Sequence, residues 1–112
     1  VSNAGHLPVY RIRDDECLAL SVDGQAMGYD PSVRYHEKQH DLEVDDKVTV
    51  FTNGLVASGH DGSSVDAVDI ADILLQSKKS TGFNQSVLEL FRAAHGTDTY
   101  YDDVTILTAE IG

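Results

Sequence analysis

The chain has 112 residues, of which 41% are hydrophobic, and a formal net charge of −11. The apolar fraction is sufficient for a folded core and excludes a largely disordered chain. Because phosphate backbones and anionic lipid surfaces bind Lys and Arg, the acidic excess argues against nucleic acid and membranes as partners, and it favours a metal cation or a basic protein surface.

The first predicted elements are two strands joined by a tight turn. Residues 7–13 and 17–22 alternate between apolar and polar side chains, as half-buried strands do. The acidic run 14–16 separates them and is typical of a turn. The sequence therefore predicts an antiparallel β-hairpin, in which Cys17 is a small core or edge residue.

A long connection follows the hairpin and leads to a third strand. Residues 23–31 contain two glycines and a proline, which predict a loop, and we expect Met27 to anchor this loop on the core. Residues 32–42 alternate only weakly. The segment 47–52 is rich in β-branched residues and gives the clearest strand of the chain. The glycine-rich segment 54–64 is predicted to be a loop.

The C-terminal half predicts two helices and a closing strand. Apolar residues at helical spacing predict a helix over residues 65–78, which ends in lysines before a glycine. A second helix is expected to begin at Asn84 or Ser86 and to end before Gly96. Residues 103–111 alternate as a final strand. The order of strands, two helices and a strand predicts an α+β fold with an antiparallel sheet.

The cysteine content and the termini indicate the setting of the chain. Cys17 is the single cysteine, so no intrachain disulfide can form, and no apolar run approaches the roughly 18 residues of a transmembrane helix. We therefore expect a reduced, cytoplasmic location. Because the chain begins at Val1 and not at Met, we expect it to be part of a longer protein. Open strand edges in such a part favour a homo-oligomer.

Two adjacent carboxylates, Asp102 and Asp103, precede the last predicted strand. Carboxylate oxygens suit hard divalent cations such as Mg²⁺, Mn²⁺ or Ca²⁺, and a strand would hold them rigidly. An Asp-Asp pair is also an ordinary turn before a strand. The pair alone leaves both interpretations open.

Four short motifs occur in a fixed order, and they are Asn3-Ala4-Gly5-His6-Leu7-Pro8, Gly24 with Gly28, Thr52-Asn53-Gly54 and Asp102-Asp103-Val104-Thr105. In this order and spacing they resemble the C-terminal part of the PPM, or protein phosphatase 2C, superfamily. Within it, the chain is most similar to the SpoIIE and sigma-factor-regulator branch. The resemblance covers essentially the whole chain.

This resemblance implies both a fold and a function. The implied fold is an antiparallel β-sandwich flanked by helices, of which residues 1–112 would form a single partial domain, the C-terminal half with two helices before the last strand. The implied activity is that of a metal-dependent serine/threonine phosphatase in bacterial signalling. Its substrate would be a phosphorylated regulatory protein of the anti-anti-sigma type, and a sensor or receiver domain would precede it in the parent chain.

The resemblance also implies metal ligands. In the family, two Mg²⁺ or Mn²⁺ ions hold the water that attacks phosphorus. One ligand position falls on Asp102, with Asp103 as a support or an alternative ligand, and another falls on Asn53. An amide oxygen brings no negative charge, so Asn53 departs from the family's aspartate and would weaken the site. Asn53-Gly54 is also a favoured turn pair that tolerates positive φ, which is the structural interpretation of the same residues.

Two functions from different classes follow from these observations. The family's early aspartate and glycine carbonyl are absent from this sequence, so we expect the chain alone to be inactive as an enzyme. The first interpretation is part of an active phosphatase. The alternative is a catalytically degenerate module that binds a regulatory partner without hydrolysis, and Asn53 favours it.

The remaining acidic residues and histidines are interpreted as structural or solvated. For His6, a hydrogen-bonded structural role is favoured over a role as ligand. Four acidic residues in predicted turns are expected to be solvated, namely Asp41, Asp45, Asp46 and Asp61. The other four histidines are expected on the surface, namely His36, His40, His60 and His95.

Overall fold

The structure is a computed structural model that describes residues 1–58, 63–96 and 102–112. Its elements are β1 (Val9–Arg13), β2 (Glu16–Leu20), β3 (Lys47–Phe51), α1 (Asn53–Val56), β4 (Ala57–Ser58), β5 (Ser63–Ser64), α2 (Ala67–Lys78), α3 (Phe83–His95) and β6 (Ile106–Glu110). The predictions made for His60 and Asp61 lie outside the described residues. None of the described helices has the length and apolar character needed to cross a membrane.

The main sheet has four antiparallel strands in the order β2-β1-β3-β6. The predicted hairpin is confirmed, because β1 pairs with β2 in a register that places Ile12 opposite Cys17. Strand β3 pairs with β1 on one side and with β6 on the other, where Phe51 lies opposite Ile106. Strands β4 and β5 form a separate two-stranded ribbon. The last strand therefore lies directly beside the third, although the two helices separate them in sequence.

One face of the sheet is covered by the two long helices. Helix α2 contacts α3, β1 and β2, and α3 contacts α1 and β6. The core between sheet and helices is a single cluster of buried apolar residues, and it consists of Tyr10, Ile12, Phe51, Leu55, Val56, Ile70, Ile73, Leu74, Val87 and Phe91. Phe51 joins the layers, because its ring stacks on Tyr10 at 5.6 Å and meets Phe91 at 5.9 Å between centroids.

The end of α3 is set by a glycine, as the sequence predicts. Gly96 has φ +70°, and its N–H donates to the carbonyls of Arg92 and Ala93. Glycine adopts this left-handed conformation without steric cost, so the helix ends here with its last carbonyls bonded. His95 is therefore held at a defined place, the last residue of the helix.

Two predictions about the connecting segments are wrong. Met27 does not anchor its loop on the core, because its side chain is 77% exposed. The core beside β1 and β2 is filled by α2 instead, and the loop runs along the surface. The segment predicted as one loop over residues 54–64 contains most of α1 and both short strands β4 and β5. Within residues 32–42, Glu37 forms an isolated bridge with Ser2.

Asp46 was expected to be solvated, and this prediction is wrong. Its side chain is 1% exposed and accepts two hydrogen bonds from the Arg13 guanidinium, at 2.8 and 2.7 Å. The N–H of Glu43 donates a further bond of 2.8 Å. The Arg13 guanidinium beside Asp46 holds the pKa of that carboxyl well below its usual range. This bidentate pair ties the turn before β3 to the end of β1.

We expect Asp46→Asn to lower the thermal unfolding midpoint at pH 7, because it removes the buried carboxylate that binds Arg13 and leaves that guanidinium with only the exposed carboxylate of Glu43 at 3.3 Å. The folded-state pKa of Asp46 is depressed, so its contribution is complete above the unfolded value of about 4, declines below that pH, and is fully lost only as the pH falls through the lower folded-state value. In thermal unfolding, the difference between variant and wild type should be largest at pH 7 and should shrink progressively as the pH is lowered below about 4.

The matched control is Asp41→Asn, which neutralises an exposed carboxylate of the same segment and leaves its backbone bond to Arg13 in place. It should unfold as the wild type does. Equal midpoints for Asp46→Asn and wild type at pH 7 would contradict the structural role of the pair.

Candidate functional site

Strand β3 turns directly into the one-turn helix α1. Thr52 is the residue before the helix and has extended backbone angles, φ −78° and ψ 157°. The N–H of Leu55 donates to the carbonyl of Thr52 at 3.1 Å, and the N–H of Ala57 donates to that of Asn53. Asn53 and Gly54 are thus the first two helical residues. The interpretation of Asn53-Gly54 as a turn pair is wrong, because both residues are helical and neither has the positive φ that such a pair tolerates.

The hydroxyl of Thr52 joins the end of β3 to the residues before β6. Thr52 Oγ1 accepts a hydrogen bond of 2.9 Å from the N–H of Thr105 and donates one of 3.2 Å to the carbonyl of Asp103. The N–H of Thr52 also donates to the carbonyl of Thr105 at 3.0 Å. These bonds extend the β3–β6 ladder past its last paired residues. Sequence reasoning assigned no role to Thr52.

Gly54 is the point at which the two motifs make contact. It is buried, and a Cβ atom built on it would overlap with the carbonyl oxygen of Asp103 and lie 3.1 Å from that of Asp102. Any side chain at residue 54 would therefore overlap with the backbone of the acidic pair. The requirement for glycine comes from this close approach, since its φ is not in the left-handed region.

The structure thus brings the Thr52-Asn53-Gly54 and Asp102-Asp103 segments together at one end of the sheet. The side chains of Asn53, Asp102 and Asp103 are exposed. Their side-chain oxygens are hard donors, which is the type of ligand that divalent cations such as Mg²⁺ prefer. Within the three described stretches of chain, no group of three or more His, Cys, Asp or Glu residues is arranged to hold a metal ion. The assignment of these three residues as ligands stays a prediction.

His6 is part of a tight turn near the N-terminus. Its N–H donates to Asn3 Oδ1 at 2.7 Å, and Asn3 Nδ2 donates back to its carbonyl at 2.8 Å. The exposed ring lies with Nδ1 3.0 Å from the carbonyl of Leu7. Gly5 has φ +81° and packs on the backbone of Ala26, which no other residue could do there. The hydrogen-bonded, structural interpretation of His6 agrees with these contacts.

The other histidines differ from one another. His36 is exposed, as predicted. The prediction is wrong for His40 and His95, which are both half-buried. His95 Nε2 lies 2.7 Å from the carbonyl oxygen of Leu55 in α1, and its ring is 6.3 Å from that of Phe91. The spacing of four residues from a core Phe on one helix is the sequence signal that could have indicated this burial.

Comparison with solved structures identifies the class of fold. The chain is similar to the PPM Ser-Thr phosphatase MsPP from Mycobacterium smegmatis, whose crystal structure contains cacodylate, with a TM-score of 0.60 and 18% sequence identity. The match covers 99% of this chain and 55% of that one, so the chain spans about half the length of MsPP. The α+β, PPM-like fold class predicted from the sequence is confirmed.

The sequence itself identifies the family. The family described as stage II sporulation protein E (SpoIIE) matches residues 1–112, and the chain therefore belongs to the SpoIIE family. No curated protein matches the chain. The predicted membership of the SpoIIE branch is thus confirmed over the full length of the sequence.

We expect Gly54→Ala to lower the free energy of unfolding by roughly 1–3 kcal/mol, the usual cost of overpacking. The new methyl group would meet a backbone carbonyl oxygen, which cannot rotate away as a side chain can. In heteronuclear NMR spectra the amide resonances of Asp102 and Asp103 should shift, because their backbone has to move.

The control is Asn53→Ala at the neighbouring, exposed position, which should change the free energy of unfolding by less than about 0.5 kcal/mol. If Gly54→Ala were as stable as this control and left the Asp102 and Asp103 resonances in place, the close approach would not constrain the site.

Proposed function

We propose that this chain is the C-terminal portion of a metal-dependent serine/threonine phosphatase domain that acts on a phosphorylated regulatory protein of the anti-anti-sigma type. The observation that carries the proposal is the contact between Gly54 and the Asp102-Asp103 backbone. It joins the two motifs to which the family resemblance assigns metal ligands. Membership of the SpoIIE family and the PPM-like fold support the proposal.

In this proposal Asp102 holds Mg²⁺ or Mn²⁺, with Asp103 as a support or an alternative ligand and Asn53 contributing its amide oxygen. When bound, such an ion lowers the pKa of its water and neutralises charge on the phosphoryl group. The Thr52 hydroxyl and the contact at Gly54 fix the backbone that carries the acidic pair. The backbone from which the two carboxylates project is therefore in position before a substrate binds.

The chain supplies only one side of the proposed site. Two carboxylates and an amide do not make a dinuclear centre, so the remaining carboxylates would come from an upstream part of the same protein. A sensor or receiver domain in the parent chain and a cytoplasmic location belong to the same proposal. Burial raises the pKa of the half-buried Cys17 thiol to about 11, which suits an unreactive cysteine in a reducing compartment. Association with a second copy stays a prediction.

A second candidate is a degenerate module that binds its regulatory partner without hydrolysing phosphate. Asn53 favours this candidate, because its exposed amide stands where the family has a charged ligand. A divalent site with one fewer carboxylate binds its ion more weakly. The two candidates therefore differ in the affinity for the ion and in turnover, and both can be measured on the same variants.

We expect the complete protein to bind Mn²⁺ weakly, and Asn53→Asp to tighten binding at least about tenfold, because the number of charged ligands sets divalent affinity. Isothermal titration calorimetry of wild type and variant measures this change. Gln76→Glu adds the same charge on an exposed position of α2 and should leave the affinity unchanged. Asp102→Asn should abolish binding in the Asn53→Asp background.

Hydrolysis of p-nitrophenyl phosphate separates the two candidates. Mn²⁺-dependent turnover by the wild-type complete protein supports the phosphatase, whereas turnover only after Asn53→Asp supports the degenerate module. The 112-residue chain alone should show no turnover above background. Mn²⁺ affinity that is insensitive to both Asn53→Asp and Asp102→Asn would contradict the proposed site.

A further inference from the structure

Helix α1 is too short to satisfy its own backbone carbonyls. A helix leaves its last four carbonyls without intrahelical partners, and α1 has only four residues, Asn53–Val56. The carbonyl of Asn53 accepts from Ala57 N–H, and that of Val56 accepts from Val65 N–H at 2.9 Å. Leu55 is 0% exposed, so its carbonyl needs a partner from within the protein.

His95 supplies that partner. Its Nε2 lies 2.7 Å from the carbonyl oxygen of Leu55. A carbonyl can only accept, so Nε2 carries the proton. His95 is the last residue of α3, which ends at Gly96. Its ring packs against Phe91, a residue with no exposed surface. The N–H donor of His95 is therefore carried by a regular helix, α3.

Helix α1 is thus held between two fixed points. On one side, Gly54 contacts the backbone of Asp102 and Asp103. At the next residue, Leu55, the carbonyl is bound by His95 from α3. The side chains of Leu55 and Val56 are buried in the core as well, and loss of the bond to His95 would loosen the turn that carries Asn53.

We propose that His95 is a positioning residue of the candidate site, which fixes α1 through the Leu55 carbonyl and thereby sets Asn53 and Gly54 against Asp102 and Asp103. The effect on a bound cation rests on the proposed function, whereas the effect on α1 does not. His95 touches no reacting group in this proposal. It acts through the backbone of the helix that precedes β4.

Two variants separate the hydrogen bond from the packing of the ring. His95→Phe keeps an aromatic ring against Phe91 and removes the donor, whereas His95→Gln keeps an N–H donor and removes the ring. His36→Phe is the matched control, because it makes the same change at an exposed histidine. All variants are made in the complete protein.

The first measurement is amide hydrogen exchange without metal. The amides of Leu55 and Ala57 report on α1, and those of β1 report on global stability. His95→Phe should speed exchange of the α1 amides about tenfold relative to β1, the effect of losing one hydrogen bond. His95→Gln should restore most of the protection, and His36→Phe should match wild type. Parallel acceleration of α1 and β1 amides would show that His95 only stabilises the core and would overturn the proposal.

The second measurement is Mn²⁺ titration in the Asn53→Asp background, in which the ion should bind more tightly. His95→Phe should weaken binding several-fold, and His95→Gln should recover it. Unchanged affinity in His95→Phe, with α1 exchange also unchanged, would overturn the proposal. If no variant binds Mn²⁺, the proposed metal-dependent function is contradicted, and the exchange comparison alone decides the role of His95.

Discussion

The candidate site depends on the junction at which Thr52 binds the residues that lead into β6. One hydroxyl accepts from Thr105 and donates to Asp103, and the adjacent Gly54 lets the two backbones touch. Each such hydrogen bond contributes only about 0.5–1.5 kcal/mol. Their importance is geometric, because they continue the β3–β6 ladder into the two segments that carry Asn53 on one side and the acidic pair on the other.

The opposite end of the same strand pair is fixed as well. The N–H of Asp45 donates to the carbonyl of Ile111, and the N–H of Ile111 donates to the carbonyl of Asp46. The side chain of Asp46 is in turn held by Arg13 at the end of β1. The register of β6 against β3 is thus determined at both ends, so a slip that would separate the two motifs would break both sets of contacts.

Local patterns predicted the regular elements well, because their signals are local. Alternation identified the hairpin, β-branched residues identified strand β3, and Gly96 identified the end of α3. Tertiary contacts explain the failures. Asp46 looks like a solvated turn residue until Arg13, 33 positions earlier, is placed beside it. Where the favoured Asn-Gly turn was expected, the structure has the short helix α1, whose Gly54 packs on the backbone of a segment distant in sequence.

The sequence predicted only part of the candidate site, because the contacts that form it join residues that are distant in sequence. Family resemblance, not spacing, indicated that Asn53 and Asp102 belong to one site, and the structure brings their backbone segments together. His95 was missed because its partner, the Leu55 carbonyl, is a backbone atom 40 positions away and leaves no pattern in the sequence. The roles of Asn53 and Asp102 as metal ligands stay a prediction.

The central claim is that Asp102 and residue 53 face one cation, and anomalous diffraction tests it most directly. Crystals of the complete Asn53→Asp protein grown with Mn²⁺ should show an ion coordinated by Asp102 and by the new carboxylate, and wild-type crystals should show lower occupancy at the same place. An ion bound elsewhere, with Asp102 and residue 53 both outside its coordination sphere, would contradict the account.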